Sequence, residues 1–275
     1  NFTITSVDIQ GIKTLNKEDY LNNLPVKVGD KLIPQKAIDG AQELFKSGYF
    51  STVEPKIDRK ADNTVSIMYE VQENPAVQSI NIQGNTLFTN AQLEEALGIK
   101  KGEILNGNLL NPDSNGIIGL YSKNGYSTAR IESITVGETG DVNIGLSEGI
   151  VKDISFEKST PKNDNDRQSS KRTKLRTKDY VLERYLEVKP GQVLNNSDLE
   201  SSIRELYRTG IFTRVTPELY GSETDPNERN IKFILEERPT TTINGSISYG
   251  TSVGLVGGLK LADDNFLGRD QQASI

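Results

Sequence analysis

The chain contains neither cysteine nor histidine. Without cysteine it has no disulfide and no thiolate metal site. Without histidine it lacks the commonest metal ligand and the side chain most used for proton transfer near neutral pH, which argues against an enzyme and against a bound metal or other cofactor. No window approaches 18 uninterrupted apolar residues, so no membrane helix is expected. The N-terminus, NFTITSVDIQ, has no basic stretch leading into an apolar one, as a signal peptide would. Positive charge is in the minority, with a net charge of −6 over 275 residues, which argues against a nucleic-acid binder. A composition of 34% hydrophobic and 25% charged residues is that of an ordered protein.

What is present is a repeat. The phrase VKVGDKL at 26–32 returns as IKKGEIL at 99–105 and as VKPGQVL at 188–194. Ahead of each copy lies a short strand of alternating apolar residues, with Val7 and Ile9, Ile80 and Ile82, Ile154 and Phe156 on one face. A helix start follows, with Asn16, Thr89 and Thr177 at N-cap-like positions. After each phrase a second helix ends in LFKSGYF, LYSKNGYS or LYRTGIF, whose glycine suits the left-handed position past a helix. Two strands close each unit, and Val65, Ile67, Tyr69 and Val71, or Ile231, Phe233 and Leu235, share a face.

The fold class expected is therefore α+β: tandem β-α-α-β-β units, each with both helices on one face of its sheet. The phrase itself reads as the inter-helix corner, its glycine ending the first helix and its leucine packing under the sheet. The units span 1–75, 76–150 and 151–239, with a polar insertion at about 158–174 in the third and a remainder at 240–275. The extra glycines of the second unit predict a shorter or irregular second helix. The junctions Asn74-Pro75, Gly149-Ile150 and Arg238-Pro239 are the expected hinges.

Such a tandem resembles the polypeptide-transport-associated (POTRA) domains of the BamA-type outer-membrane barrel assembly and translocation family. The segment from Thr240 onward resembles the start of that family's barrel: Ile243, Gly245, Ile247 and Tyr249 alternate with Asn244, Ser246 and Ser248, and DNFLGRD at 264–270 is similar to the family's NFLGRG, with Asp270 in place of the last glycine. Three units followed directly by a barrel resemble the cyanobacterial and chloroplast branch. The resemblance implies a three-stranded mixed sheet in each unit and a soluble fragment of a larger membrane protein, on the periplasmic side of an outer membrane or in an organelle's intermembrane space. It further implies a scaffold that receives unfolded outer-membrane protein precursors or preproteins, works with accessory assembly proteins and hands its substrates to the barrel. Two-partner secretion and chloroplast-type preprotein import are the neighbouring roles.

Competing chemistries find less support. Glu94 and Glu95, or Glu236 and Glu237, would suit a hydrolase, but adjacent residues on a helix or strand point to different sides and read as solvated charge. Gly254, Gly257 and Gly258 lack the Lys-Ser/Thr of a phosphate loop, and an RNA-binding module would need a basic surface.

Two surface features remain. Lys158 to Lys178 carries eight Lys/Arg against two Asp, and Lys171, Arg172, Lys174 and Arg176 are candidates to touch anionic lipid or an acidic partner. Pro55 and Pro217 lie seven residues past Gly48 and Gly210, and a proline blunts an edge strand. The second unit has Glu132 at that spacing. Its edge, Thr128 to Val136, is expected to take a substrate strand, with Thr128, Arg130, Glu132, Ile134 and Val136 along it.

Overall fold

The computed structural model describes residues 2–159 and 174–275. The repeat appears as expected. Repeat one runs β1 (Thr3–Gln10), α1 (Lys17–Leu21), α2 (Pro34–Lys46), β2 (Phe50–Arg59) and β3 (Thr64–Glu73). Repeat two runs β4 (Ser79–Gln83), α3 (Asn90–Leu97), α4 (Gly116–Lys123), β5 (Arg130–Val136) and β6 (Asp141–Ser147). Repeat three runs β7 (Ile150–Lys158), α5 (Asp179–Leu182), α6 (Asn196–Arg208), β8 (Phe212–Gly221) and β9 (Glu228–Glu237). In each sheet the last strand is central, parallel to the first and antiparallel to the second. The remainder forms β10 (Thr241–Gly250), β11 (Gly254–Asp263) and the short β12 (Ala273–Ser274) in one antiparallel sheet. By contacts the chain divides into one unit of 1–124 with 129–147 and a second of 125–128 with 148–275.

Alternation of apolar residues explains which face of each sheet is covered. In repeat one Val65, Ile67, Tyr69 and Val71 are buried with Ala37, Ala41 and Leu44 of α2, and in repeat three Ile231, Phe233 and Leu235 pack with Leu206 of α6. Tyr69 is fully buried, and its hydroxyl donates to the Ala37 carbonyl at 3.1 Å. Burial pushes its pKa up to about 12, so the phenol stays a donor at any ordinary pH. As the glycines of the second repeat predicted, α4 spans eight residues against 13 in α2 and α6, and a 3₁₀ turn at Gly107–Leu110 precedes it. Asn16 and Thr89 cap their helices through side-chain oxygens. Thr177 does not: Lys178 is the cap residue of α5, and the buried Thr177 hydroxyl is engaged elsewhere.

The repeated phrase has a different role from the one expected. Its glycine does not end the first helix; α3, for example, is closed by Gly98. Gly29, Gly102 and Gly191 have φ of +96°, +86° and +85°, and this left-handed step lays the phrase against the start of the first strand. Three backbone bonds of 2.7–3.1 Å recur each time. The glycine N–H donates to Ile4, Val77 or Val151; the same strand residue donates to Asp30, Glu103 or Gln192; the phrase's leucine donates to Phe2, Pro75 or Gly149. A corner loop thus pairs with the beginning of β1 and β7 and with the segment leading into β4.

Candidate functional site: an open strand edge and a docked hairpin

Each sheet has two edge strands, and the corner phrase pairs with the start of β1 and β7 and with the segment before β4; the other edge, β2, β5 or β8, is the one whose register can be compared along its length. Parallel partners align the three sheets: Tyr69 lies opposite Ile9, Ile144 opposite Ile82, and Phe233 opposite Phe156. On the edge strands Pro55 is opposite Tyr69, Pro217 is opposite Phe233, and Ile134 is opposite Ile144. The proline position in the second repeat is therefore Ile134, not Glu132. The insertions before β5 defeat a simple count from the helix-ending glycine. Glu132 is the extra residue of a bulge between Ile131 and Ser133, and its carboxylate pairs with Arg130. Thr128 lies in a turn before the strand, where its hydroxyl donates to the Glu148 carbonyl at 3.3 Å. The continuous, proline-free edge is accordingly Ser133 to Val136, with Val136 40% exposed. A bulge interrupts pairing, which shortens the receptive stretch relative to 128–136.

The second feature is where the hairpin β10–β11 meets repeat three. Its register places Ile243 beside Leu261, Gly245 beside Leu259, Ile247 beside Gly257 and Tyr249 beside Leu255. These residues share one face, and Ile247 is 81% exposed. The opposite face carries Thr242, Asn244, Ser246, Ser248 and Lys260 together with Val256, Gly258 and Ala262. Below the hairpin, DNFLGRD folds back on the loop that enters α5. Lys178 N–H donates to the Gly268 carbonyl at 3.0 Å, and the buried Asn265 donates to the Thr177 hydroxyl at 2.9 Å. Asp270 has φ +54°, which explains why this position accommodates glycine; here its carboxylate accepts from the Tyr185 hydroxyl. That hydrogen bond, with burial, raises the Tyr185 pKa and keeps the donor protonated.

The basic candidates divide. Arg176 is committed within the chain: its guanidinium pairs with Asp263 and donates to the Thr240 hydroxyl at 3.0 Å. Lys174 is exposed, whereas Lys171 and Arg172, with most of the insertion, lie outside the described residues. At the junctions, Asn74 donates through its side chain to two carbonyls, Gly149 packs against Thr128, and Arg238 N–H bonds the Ile211 carbonyl at 2.9 Å, one residue before Pro239.

A set of residues whose role the sequence did not reveal is the glutamate at or just past the end of each central strand. Glu73 accepts from the backbone of Lys13, Thr14 and Leu15, and Glu237 from Arg176 and Thr177, so Glu237 is not a solvated charge. Glu148 occupies the same place and is 1% exposed. The available signal was positional: each stands one residue before a repeat junction.

Three βααββ modules in tandem, leading into an amphipathic hairpin, define the POTRA-type architecture. The chain belongs to the POTRA family, described as surface antigen variable number repeat, which it matches over residues 2–74, 75–149 and 173–238. It is similar to the outer membrane protein assembly factor BamA of Nitratidesulfovibrio vulgaris, 30% identical over 128 residues, covering 46% of this chain and 16% of that protein. It is also similar to the chloroplastic outer envelope protein 80 of Oryza sativa subsp. japonica, 23% identical over 245 residues, covering 86% of this chain and 35% of that protein. Among solved structures, the N-terminal domain of Omp85 from Thermosynechococcus elongatus superposes with a TM-score of 0.67 at 22% identity, covering 86% of this chain and 98% of that one. POTRA1-3 of Omp85 from Anabaena gives 0.66 at 24%, covering 86% and 95%. The chain spans between 12% and 35% of the length of the curated relatives compared with it.

Proposed function

We propose that the chain is the periplasm-facing scaffold of an outer-membrane β-barrel assembly or protein translocation machine, and that it binds rather than catalyses. The observation that carries this reading is the hairpin that follows repeat three directly, ten residues in each strand, with one apolar face and one of mostly small and polar residues. That length and alternation fit a barrel strand facing lipid, and a barrel is stable in a membrane only when closed. The repeats then lie beside the barrel mouth, where unfolded outer-membrane protein precursors arrive. Names of relatives such as "outer membrane protein assembly factor" support the same role.

Substrate strands pair along Ser133 to Val136, where backbone N–H and C=O groups recognise an extended chain whatever its side chains. Photoreactive residues placed at Glu54, Ser133 and Thr216, which are equivalent by register, test this in cells carrying the full-length protein. Capture of outer-membrane precursors, strongest at Ser133, is the expected result; capture of exported proteins alone would favour translocation, and no capture at any of the three would reject the reading. Lys171, Arg172 and Lys174 are further proposed to meet anionic headgroups. Reversing these three charges should lower co-sedimentation with anionic vesicles several-fold, and unchanged co-sedimentation would remove the membrane contact.

A further inference from the structure

We propose that repeats one and two are held by a keyed joint, in which the turn Asn106-Gly107-Asn108 of the second repeat caps the carbonyl end of α2 in the first. A helix leaves its last carbonyls without intrahelical partners, at the negative end of its dipole. Here three consecutive carbonyls at that end are each met by a donor from the next repeat. Asn108 Nδ2 donates to Lys46 O at 2.8 Å, Asn106 Nδ2 to Ser47 O at 3.4 Å, and Gly107 N to Gly48 O at 2.7 Å. Asn74, at the junction itself, donates to Gly48 O and to Leu105 O, both at 2.9 Å, and so ties the two repeats with one side chain. A Cβ on Gly48 would stand 2.1 Å from Asn106 Oδ1 and 2.6 Å from Asn108 Nδ2, so a side chain there would push both amides off the helix end.

The repeat itself supplies the control. The three residues after the leucine of the corner phrase are Asn106-Gly107-Asn108 in repeat two, Asn195-Asn196-Ser197 in repeat three and Ile33-Pro34-Gln35 in repeat one. Inside the second unit Asn196 N donates to Gly125 O at 2.9 Å, the same donor meeting the same helix-ending glycine. Pro34 has no N–H to give, and Ile33, with no capping side chain, is 48% exposed. Repeat one nevertheless folds and builds a 13-residue α2. Asparagine at this place is therefore not a requirement of the βααββ fold; Asn106 and Asn195 cap their own turns by accepting from Asn108 N and Ser197 N, and what recurs across the junctions is the next backbone N–H meeting the preceding helix-ending glycine. The short Asn74-Pro75 connector, which reads as a hinge in the sequence, is on this view the staple of a fixed joint.

The test uses the absence of cysteine. Asp58→Cys in repeat one and Glu95→Cys in repeat two, both exposed, take spin labels, and pulsed EPR on the full chain reports the distance distribution between them. A single narrow distribution is expected with the key intact, and a broad one in Asn74→Ala combined with Asn108→Ala. Asn108→Asp, which keeps the shape but sets a carboxylate against a carbonyl, should broaden it as well. Circular dichroism of each variant verifies that the repeats remain folded. A distribution already broad in the unmodified joint, or one left narrow by both kinds of variant in folded protein, overturns the proposal.

Discussion

Replacing Gly268 by alanine unseats the hairpin from repeat three. Gly268 has φ +73°, and a Cβ there would stand 1.9 Å from the Arg176 carbonyl oxygen and 2.8 Å from its carbon. Both are backbone atoms of a segment already held, since Arg176 and Thr177 donate to Glu237 and Lys178 donates to Gly268 itself. Neither side yields cheaply. A strained backbone and an overpacked contact each cost about 1–3 kcal/mol, so the second unit should lose about 2–5 kcal/mol in all. Urea unfolding followed by fluorescence should show an earlier transition for that unit and an unchanged one for the first. Gly257→Ala, where the nearest atom is Ser246 O at 4.0 Å, is the matched control and should change little. A midpoint for Gly268→Ala equal to the control's would mean that the DNFLGRD turn is not seated as described.

Loss of the Glu73 carboxylate should be almost as costly to repeat one. Its oxygens accept from Lys13 N at 2.6 Å, Thr14 N at 3.0 Å and Leu15 N at 3.1 Å, and Glu73→Ala would leave the loop into α1 without those acceptors. Hydrogen bonds to a charged group contribute about 1.5–3 kcal/mol each and do not add fully, so a loss of about 2–4 kcal/mol is expected. Burial pushes the Glu73 carboxyl up, but the three backbone N–H groups outweigh it and hold the pKa below the usual carboxylate value of 4.5. A pKa depressed on folding adds stability that is fully present above the unfolded value and disappears as pH falls through the folded one. The first unit should therefore weaken between about pH 5 and pH 3, from this group among others, and Glu73→Gln should flatten part of that slope. Thermal unfolding across this range, compared between the parent and Glu73→Gln, checks it; parallel curves would show that the carboxylate carries no such linkage.

Much of this architecture could be read before any coordinates. Alternation located the strands, and a glycine past each second helix was required because its left-handed φ of +83°, +87° or +70° is cheap only without a Cβ. The mixed three-stranded sheets followed from the family resemblance. Local rules failed where a residue's partner is distant in sequence. Glu237 looked solvated beside Glu236, yet it caps a loop some 60 residues away. Arg176 looked like one more cation in a basic run, yet Asp263 holds it across 87 residues. The repeated phrase was legible as a corner, while its glycine's purpose was not, because the strand it pairs with lies outside the phrase.

The division follows from the range of the forces involved. Periodicity, capping and turn preference act within a few residues, so the sequence by itself determined the number of repeats, the order of their elements, the buried face of each sheet and the two-faced character of β10 and β11. Register, the relief of orphaned helix carbonyls and the pairing of buried charge depend on groups brought together only by folding. Tertiary structure alone therefore decided that Ile134 rather than Glu132 matches the edge prolines, that asparagine at the first junction bonds both neighbours, and that the last seven-residue block is docked on the third repeat.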